Sequence, residues 1–325
     1  MKRLGFVVYN ALVLFGLAMV APPIAAGAYP DKPITLIVPF TPGSATDIIA
    51  RVVGEQMSLD LGQPVVVENR PGAGSTVGSR VVARADPDGY TLLANSNAHV
   101  TNISLYSHLP YDTLQDFVGI TTLAYLPNVL ITSAESGYQS VADLVKAAHA
   151  QPGALNFGSA GIGSATHINA EKFRAKANMD ALHIPFSGTP QAVAQTVAGD
   201  VDFMFAPIVS ALTQIENHRL RALAISGAKR STALPDVPTT VQAGVTGSDF
   251  IFWVGLFAPS GTPADIVERL YESVKTAVLT PDVQEQLAAL GAEAEVMEPE
   301  AFGRYVAQEA EGYAQVIKEA GLKLN

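Results

Sequence analysis

From residue 34 onward, short aliphatic and β-branched runs alternate with stretches whose apolar residues recur at helical spacing. This rhythm limits the chain to an α/β fold with largely parallel sheets. The first unit sets the pattern. Ile34–Val38 reads as a buried strand, residues 39–47 as a turn, and Ile48, Ile49, Val52, Val53 and Met57 as one face of a helix. A strand at 65–68, the turn Arg70-Pro71-Gly72-Ala73-Gly74, a helix from about Ser75 to Ala85, the turn Pro87-Asp88-Gly89 and a strand at 91–94 follow.

A second unit opens near Asn128. It reads as a strand at 129–132, a helix from about Ser140 stopped by Gln151-Pro152-Gly153, a strand at 155–157, a glycine-rich loop at 158–163 and a helix from about Ser164. Strands at 182–184, 201–205 and 220–225 come next, with Thr189-Pro190 opening a helix that Gly199 ends. Residues 250–257 read as a further strand and Thr262-Pro263-Ala264-Asp265 as a helix start. The remainder is helical, with one apolar stripe through Ile266, Leu270 and Val274 and another through Phe302, Val306, Tyr313 and Ile317. Two α/β domains fit this length and this repeated unit.

The segment before the rhythm has a different character. Lys2 and Arg3 precede an apolar run over 4–20 and small residues ending Ala26-Gly27-Ala28, the three parts of a secretory signal, so cleavage is expected after Ala28. The run is barely long enough to span a bilayer, and Pro22, Pro23 and the A-x-A site follow it; a cleaved signal is therefore preferred to an anchor. Losing Lys2 and Arg3 makes the mature chain more negative than the formal −10 of the full sequence. Nucleic acid and acidic lipid are poor partners for such a surface, and any bound anion must be held by local fields. There is no cysteine, which excludes disulfides, thiolate metal sites and a cysteine nucleophile. Stability must come from burying the 48% of residues that are hydrophobic.

Two strand-to-helix loops carry most of the chemical interest. Pro42-Gly43-Ser44-Ala45-Thr46-Asp47 aims free backbone N–H groups and a helix dipole at one spot, which favours an anion. A plain turn with Thr46 or Asp47 as cap explains it equally well. Residues 158–167, Gly-Ser-Ala-Gly-Ile-Gly-Ser-Ala-Thr-His, form a second loop of the same kind, with glycines that admit a ligand to the backbone and hydroxyls that donate or accept. The bland alternative is a connection with Ser164 as cap.

Other candidates are weaker. Residues 72–78 nearly match a dinucleotide fingerprint, but the last gap is one residue too long, and a tight turn explains them better. Ser164 and His167 have the spacing of a nucleophile and base, yet no G-x-S-x-G elbow surrounds any serine, so an exported serine hydrolase is the minor reading. His99, His108, His149, His183 and His218 are scattered without metal-site spacing. Asp202 alternates out of an apolar strand, as a solvated or pocket-rim residue. Phe40, Phe186, Phe205 and Trp253 lie at strand ends, where core and pocket residues both gather. No metal or cofactor is expected.

Several segments taken together resemble the Bug-type solute receptors of tripartite tricarboxylate transporters. They include Tyr29-Pro30-Asp31-Lys32-Pro33, Val38-Pro39-Phe40-Thr41-Pro42-Gly43 with Asp47, residues 62–74, Pro87-Asp88-Gly89-Tyr90, Leu109-Pro110-Tyr111-Asp112, the 158–167 loop, residues 234–239 and Gly255-Leu256-Phe257-Ala258-Pro259. The resemblance implies a two-lobed, type II-like periplasmic binding protein fold with two crossovers, near Asn128 and Trp253, and a ligand cleft between the lobes. Lobe 1 would comprise 29–128 and 253–325, and lobe 2 would comprise 129–252. It further implies an extracytoplasmic, periplasmic protein, expected to be a monomer, that captures a small carboxylate and passes it to membrane permease subunits. A sensor serving a signalling partner is the alternative, and enzymatic activity is not expected.

Carried onto this chain, the resemblance places Phe40, Ser44, Ala45, Thr46 and Asp47 on one jaw and Ser159, Gly161, Gly163, Ser164, Thr166 and His167 on the other. Asn95 with Ser96, and Ala206 with Pro207, would face the same cleft. Ser44-Ala45 stands where the family often has glycine, which trades backbone freedom for a hydroxyl. Neither loop contains arginine, so backbone donors must do most of the work unless Arg51 or Arg70 reaches in.

Overall fold

In the computed structural model, which describes residues 29–319 and 321–322, Ile34–Val38 forms strand β1 at the centre of a buried layer. The secretory signal read over residues 1–28 lies outside the described residues. β1 pairs in parallel with β2 (Val65–Asn69) and β3 (Thr91–Ser96), and helices α1 (Ala45–Leu61), α2 (Thr76–Ala83) and α3 (Ala98–Leu105) connect and cover them. In the second half, β5 (Leu155–Ser159) pairs in parallel with β6 (Ala181–Pro185) and β7 (Phe203–Pro207). Helices α4 (Val141–Ala150), α5 (Ala165–Lys176), α6 (Thr189–Ala198) and α7 (Ile208–Glu216) belong to that half.

The two halves share one long strand, β4 (Phe117–Ser133). Up to Pro127 it pairs with β9 (Ile251–Pro259), and from Val129 with β8 (Leu220–Ile225). Ile225 stands opposite Val129 and Ile251 opposite Pro127, so β8 and β9 continue one antiparallel line along β4. β3 pairs with β9, and β7 with the far end of β4, both antiparallel. The expectation of largely parallel sheets therefore holds only on the flanks. A chain that crosses through β4 and returns through β8 and β9 must run both ways where the halves meet.

The sequence reading recovered only 129–132 of β4. Its first part contains Gly119, Thr121, Thr122 and Pro127, which break an aliphatic run. The threonine hydroxyls are satisfied from outside the strand: Thr121 donates to the Met297 carbonyl at 2.8 Å and Thr122 to that of Glu295 at 2.6 Å. Helices α3 and α7 were also unread. α3 buries Ala98, His99, Val100, Thr101, Asn102 and Leu105, and a helix covered on every side leaves no amphipathic stripe. Asp202 precedes β7 and is half-buried. It exchanges two hydrogen bonds with Asn156, of 2.8 and 3.0 Å, and ties two strands together.

Helices α8 (Ala264–Leu279), α9 (Pro281–Ala289) and α10 (Pro299–Glu319) complete the first half. Its core joins Trp253, Phe257 and Phe302, and it includes Ala165 and Ile168 of α5 from the second half. The halves thus meet through packed apolar side chains as well as through strands.

Candidate functional site

Ser44 caps α1 and Ser164 caps α5, each Oγ accepting the N–H three residues on, from Asp47 and His167 respectively, at 3.3 Å. The third helical residue reaches back in return. Gly43 N–H donates to Asp47 Oδ2 at 2.9 Å, and Gly163 N–H donates to His167 Nδ1 at 3.3 Å. The two loops are the same device in two halves, a reciprocal cap related to the capping box. It works because Gly43 and Gly163 adopt φ values of 79° and 81°.

These caps occupy the third N–H of each helix and leave the first two, those of Ala45 and Thr46 and of Ala165 and Thr166, without an intrahelical acceptor. All four residues line one narrow cleft of about 20 Å3. Phe40, Ser44, Ser96, Ala160, Ser164, Thr189, Pro207 and Phe252 complete the lining. Most of these stand at or just beyond the carboxyl ends of β1, β3, β5 and β7, where open α/β sheets place their crevices. Thr189, the first residue of α6, brings a third helix start to the same space. Among the described residues, no ionisable side chain lines the cleft. Its favourable field for an anion is that of aligned peptide dipoles.

Of the residues named from the sequence, the structure brings Phe40, Ser44, Ala45, Thr46, Ser96, Ser164, Thr166 and Pro207 together here. The others lie behind this surface. Asn95 is fully buried, and its amide donates to Ser79 Oγ at 3.0 Å and accepts from Ser96 N–H at 2.8 Å. Ala206 is core. Ser159 is buried with its Oγ 2.6 Å from His183 Nε2. Gly161 and Gly163 shape the loop without lining the cleft; Gly161 at φ 110° accepts from Ser164 Oγ at 2.7 Å.

His167 stacks on His183 with ring centroids 3.9 Å apart, and its Nε2 approaches Glu171, which Arg174 also holds at 2.8 Å. Burial raises the Glu171 pKa, but hydrogen bonds from His167 and Arg174, with the Arg174 charge, outweigh it and hold the carboxyl below its ordinary range. Burial pushes His183 down to about 3. With Nδ1 engaged by Gly163, His167 makes no ring-to-hydroxyl bond with Ser164, the geometry a nucleophile and base require.

Sequence reasoning missed Ala160, Ala165, Thr189 and Phe252 as lining residues. The signals were present for the first three: two alanines sit inside the glycine-rich loop, and Thr189-Pro190 marked a helix start. Phe252 had none. Its neighbour Trp253 looked the better candidate, and Trp253 is core.

Neither nearby arginine enters the cleft. Arg70 pairs with Glu68, while Arg51 bonds to Asp47 Oδ1 at 3.0 Å and Asn69 Oδ1 at 2.9 Å. Burial raises the Asp47 pKa, but Arg51, the Gly43 N–H and Asn69 together lower it below 3.8. Asp47 therefore holds the loop rather than presenting charge. Asp47→Ala is expected to lower stability by about 1.5–3 kcal/mol at neutral pH, since it removes the charge-assisted bonds from Gly43, Arg51 and Asn69. Because the folded pKa is depressed, that contribution is present above pH 3.8 and fades as pH falls through the folded value. Urea unfolding at pH 7 checks it, and an unchanged midpoint would show that the network is idle.

Residues 49–322 match the family described as tripartite tricarboxylate transporter family receptor. A Pseudomonas sp. (strain P51) protein encoded in the tcbD-tcbE intergenic region is 41% identical over 92% of this chain and 89% of its own. A Rhodopseudomonas palustris protein solved with adipate superposes with a TM-score of 0.88 at 31% identity, covering 91% of this chain and 100% of its own. MatC from the same organism, solved with bound malate, gives 0.85 at 32%, covering 89% and 100%. By sequence and by fold, the chain belongs to the tripartite tricarboxylate transporter family receptors.

Proposed function

We propose that the cleft binds one carboxylate of a small organic acid between the N-termini of α1 and α5, and that the protein delivers this ligand to the membrane permease of a tripartite transporter. The carrying observation is the convergence of Ala45, Thr46, Ala165 and Thr166 on a cleft that, among the described residues, no ionisable side chain lines. Relatives solved with adipate and malate support the ligand class. Hydrogen bonds to a charged group contribute about 1.5–3 kcal/mol each. Three or four of them, set against the ordering costs of association, reach the roughly 8 kcal/mol of a micromolar receptor.

In this reading the lobes are residues 29–128 with 253–325, and 129–252, closing about β4 and the β8–β9 line. The chain acts in the periplasm as a monomer after loss of residues 1–28, and it does not transform its ligand. Phe40, Pro207 and Phe252 select what the carboxylate is attached to, and Asp47, Gly163 and His167 hold the loops in place. Thermal unfolding of the mature chain against malate, adipate, aromatic acids, neutral sugars and cations tests this. A carboxylate at 100 times its Kd adds about 2.7 kcal/mol of stability. Stabilisation by sugars or cations alone would sink the reading.

A further inference from the structure

A second cavity, of about 490 Å3, lies where the two halves join, on the other side of the crossing strands from the cleft. Its floor is the crossing itself, Leu126 and Pro127 of β4 with Phe250 and Ile251 at the start of β9. One wall is the 227–232 loop that follows β8, and the other is the 288–293 turn that ends α9. Successive strand side chains point to opposite faces, and β9 shows the consequence: Phe252 lines the cleft while Ile251 lines this groove. Ile251 remains 48% exposed, although it sits at the junction of two packed halves. A concave, largely apolar space of this volume has the character of a small-molecule pocket.

The rim supplies the polar part. Lys229 pairs with Glu293 at 2.9 Å from one wall to the other. Arg230 donates to Gln242 Oε1 at 3.0 Å and to the Pro235 carbonyl at 3.1 Å. Both acceptors are neutral, so among the described residues this guanidinium faces no carboxylate. In a chain of formal charge −10, an arginine without an acidic partner beside an apolar groove is an unused anion contact.

We propose that this groove is a second ligand site, for a small amphipathic anion: an aryl or short alkyl carboxylate or sulfonate. Its apolar body covers Leu126, Pro127 and Ile251, and its head meets Arg230. The bound molecule touches both halves, so it selects the placement of the halves described above.

Calorimetric titration of the mature chain with naphthalenesulfonate tests the proposal. One saturable site is expected. Arg230→Gln removes the anion contact, and Ala228→Trp fills the groove from an exposed position on its wall. Each is expected to weaken binding by at least about 10-fold, the lower end for loss of a charged hydrogen bond, with the urea midpoint unchanged. Hydrogen exchange with the probe bound should slow over 227–232 and 288–293. An affinity unmoved by both substitutions, protection confined to 44–47 and 159–166, or no binding at all would overturn it.

Discussion

A chain carrying Gly163→Val is expected to bind its carboxylate about 10- to 100-fold more weakly than the parent while remaining folded. A Cβ at position 163 would stand 2.9 Å from Leu105 Cδ1 and 3.0 Å from Asn102 Oδ1, both on α3 of the first half. The Gly163 carbonyl also accepts from Thr101 Oγ1 at 2.9 Å. This crowding acts only when the halves are together. Overpacking of about 1–3 kcal/mol therefore works against the closed cleft and appears as lost affinity. The backbone strain of φ 81°, about 1–2 kcal/mol, acts in every placement and appears as lost stability. Gly199 separates the two effects, because at φ 80° its Cβ would meet nothing within 4 Å. Gly199→Val should lower the unfolding midpoint and leave the calorimetric affinity alone. Equal losses of affinity in both variants would mean that α3 and the glycine-rich loop do not gate the cleft.

The second large effect is acid sensitivity set by His99. Its ring is fully buried, 4.8 Å edge-on from Phe117 and 4.4 Å from Phe257, and Nε2 has no partner among the described residues. Burial pushes its pKa down from 6.5 to about 3. Above pH 6.5 the imidazole is neutral in both folded and unfolded chains. Between pH 6.5 and 3 the unfolded chain takes up a proton that the folded chain refuses, so stability falls as pH falls, by about 1.4 kcal/mol per unit. His183 adds a dependence of the same sign over the same window. Asp47 and Glu171, with pKa values held below 3.8 and 4.5, contribute nothing between pH 6.5 and 5. His99→Gln should therefore flatten the slope of unfolding free energy in that window by about one proton's worth. Urea titrations at several pH values read it directly. An unaltered slope would show that His99 titrates normally in the folded chain.

Ser164 was legible as a cap because a cap is a bond between residues three apart, written in the local order of side chains; for α1 the expected cap was Thr46 or Asp47, and the structure gives that place to Ser44. The same locality made Gly43, Gly163 and Thr189-Pro190 readable. Asn95 and Ser96 show where it fails. Asparagine looked the richer ligand group, yet Asn95 turns to Ser75 and Ser79 while Ser96 lines the cleft. Phe252 and Trp253 divide in the same way, one in the cleft and one in the core. Adjacent strand residues face opposite sides, and the pairing of β9 with β4 is interrupted by shifts at Gly119/Thr121 and Thr122/Ala124. No local pattern announces those shifts.

By itself, then, the sequence determined the α/β rhythm, the two capped glycine loops and the absence of any thiol, because propensity, capping and composition act over a few neighbouring residues. Only the tertiary structure decided that one strand, β4, would serve both halves, that α3 would be buried against the second loop, and which side chains would share the cleft. Those outcomes depend on register and on contacts between residues far apart in the chain, such as Thr101 with Gly163. They are settled by how the halves pack, after the local elements already exist.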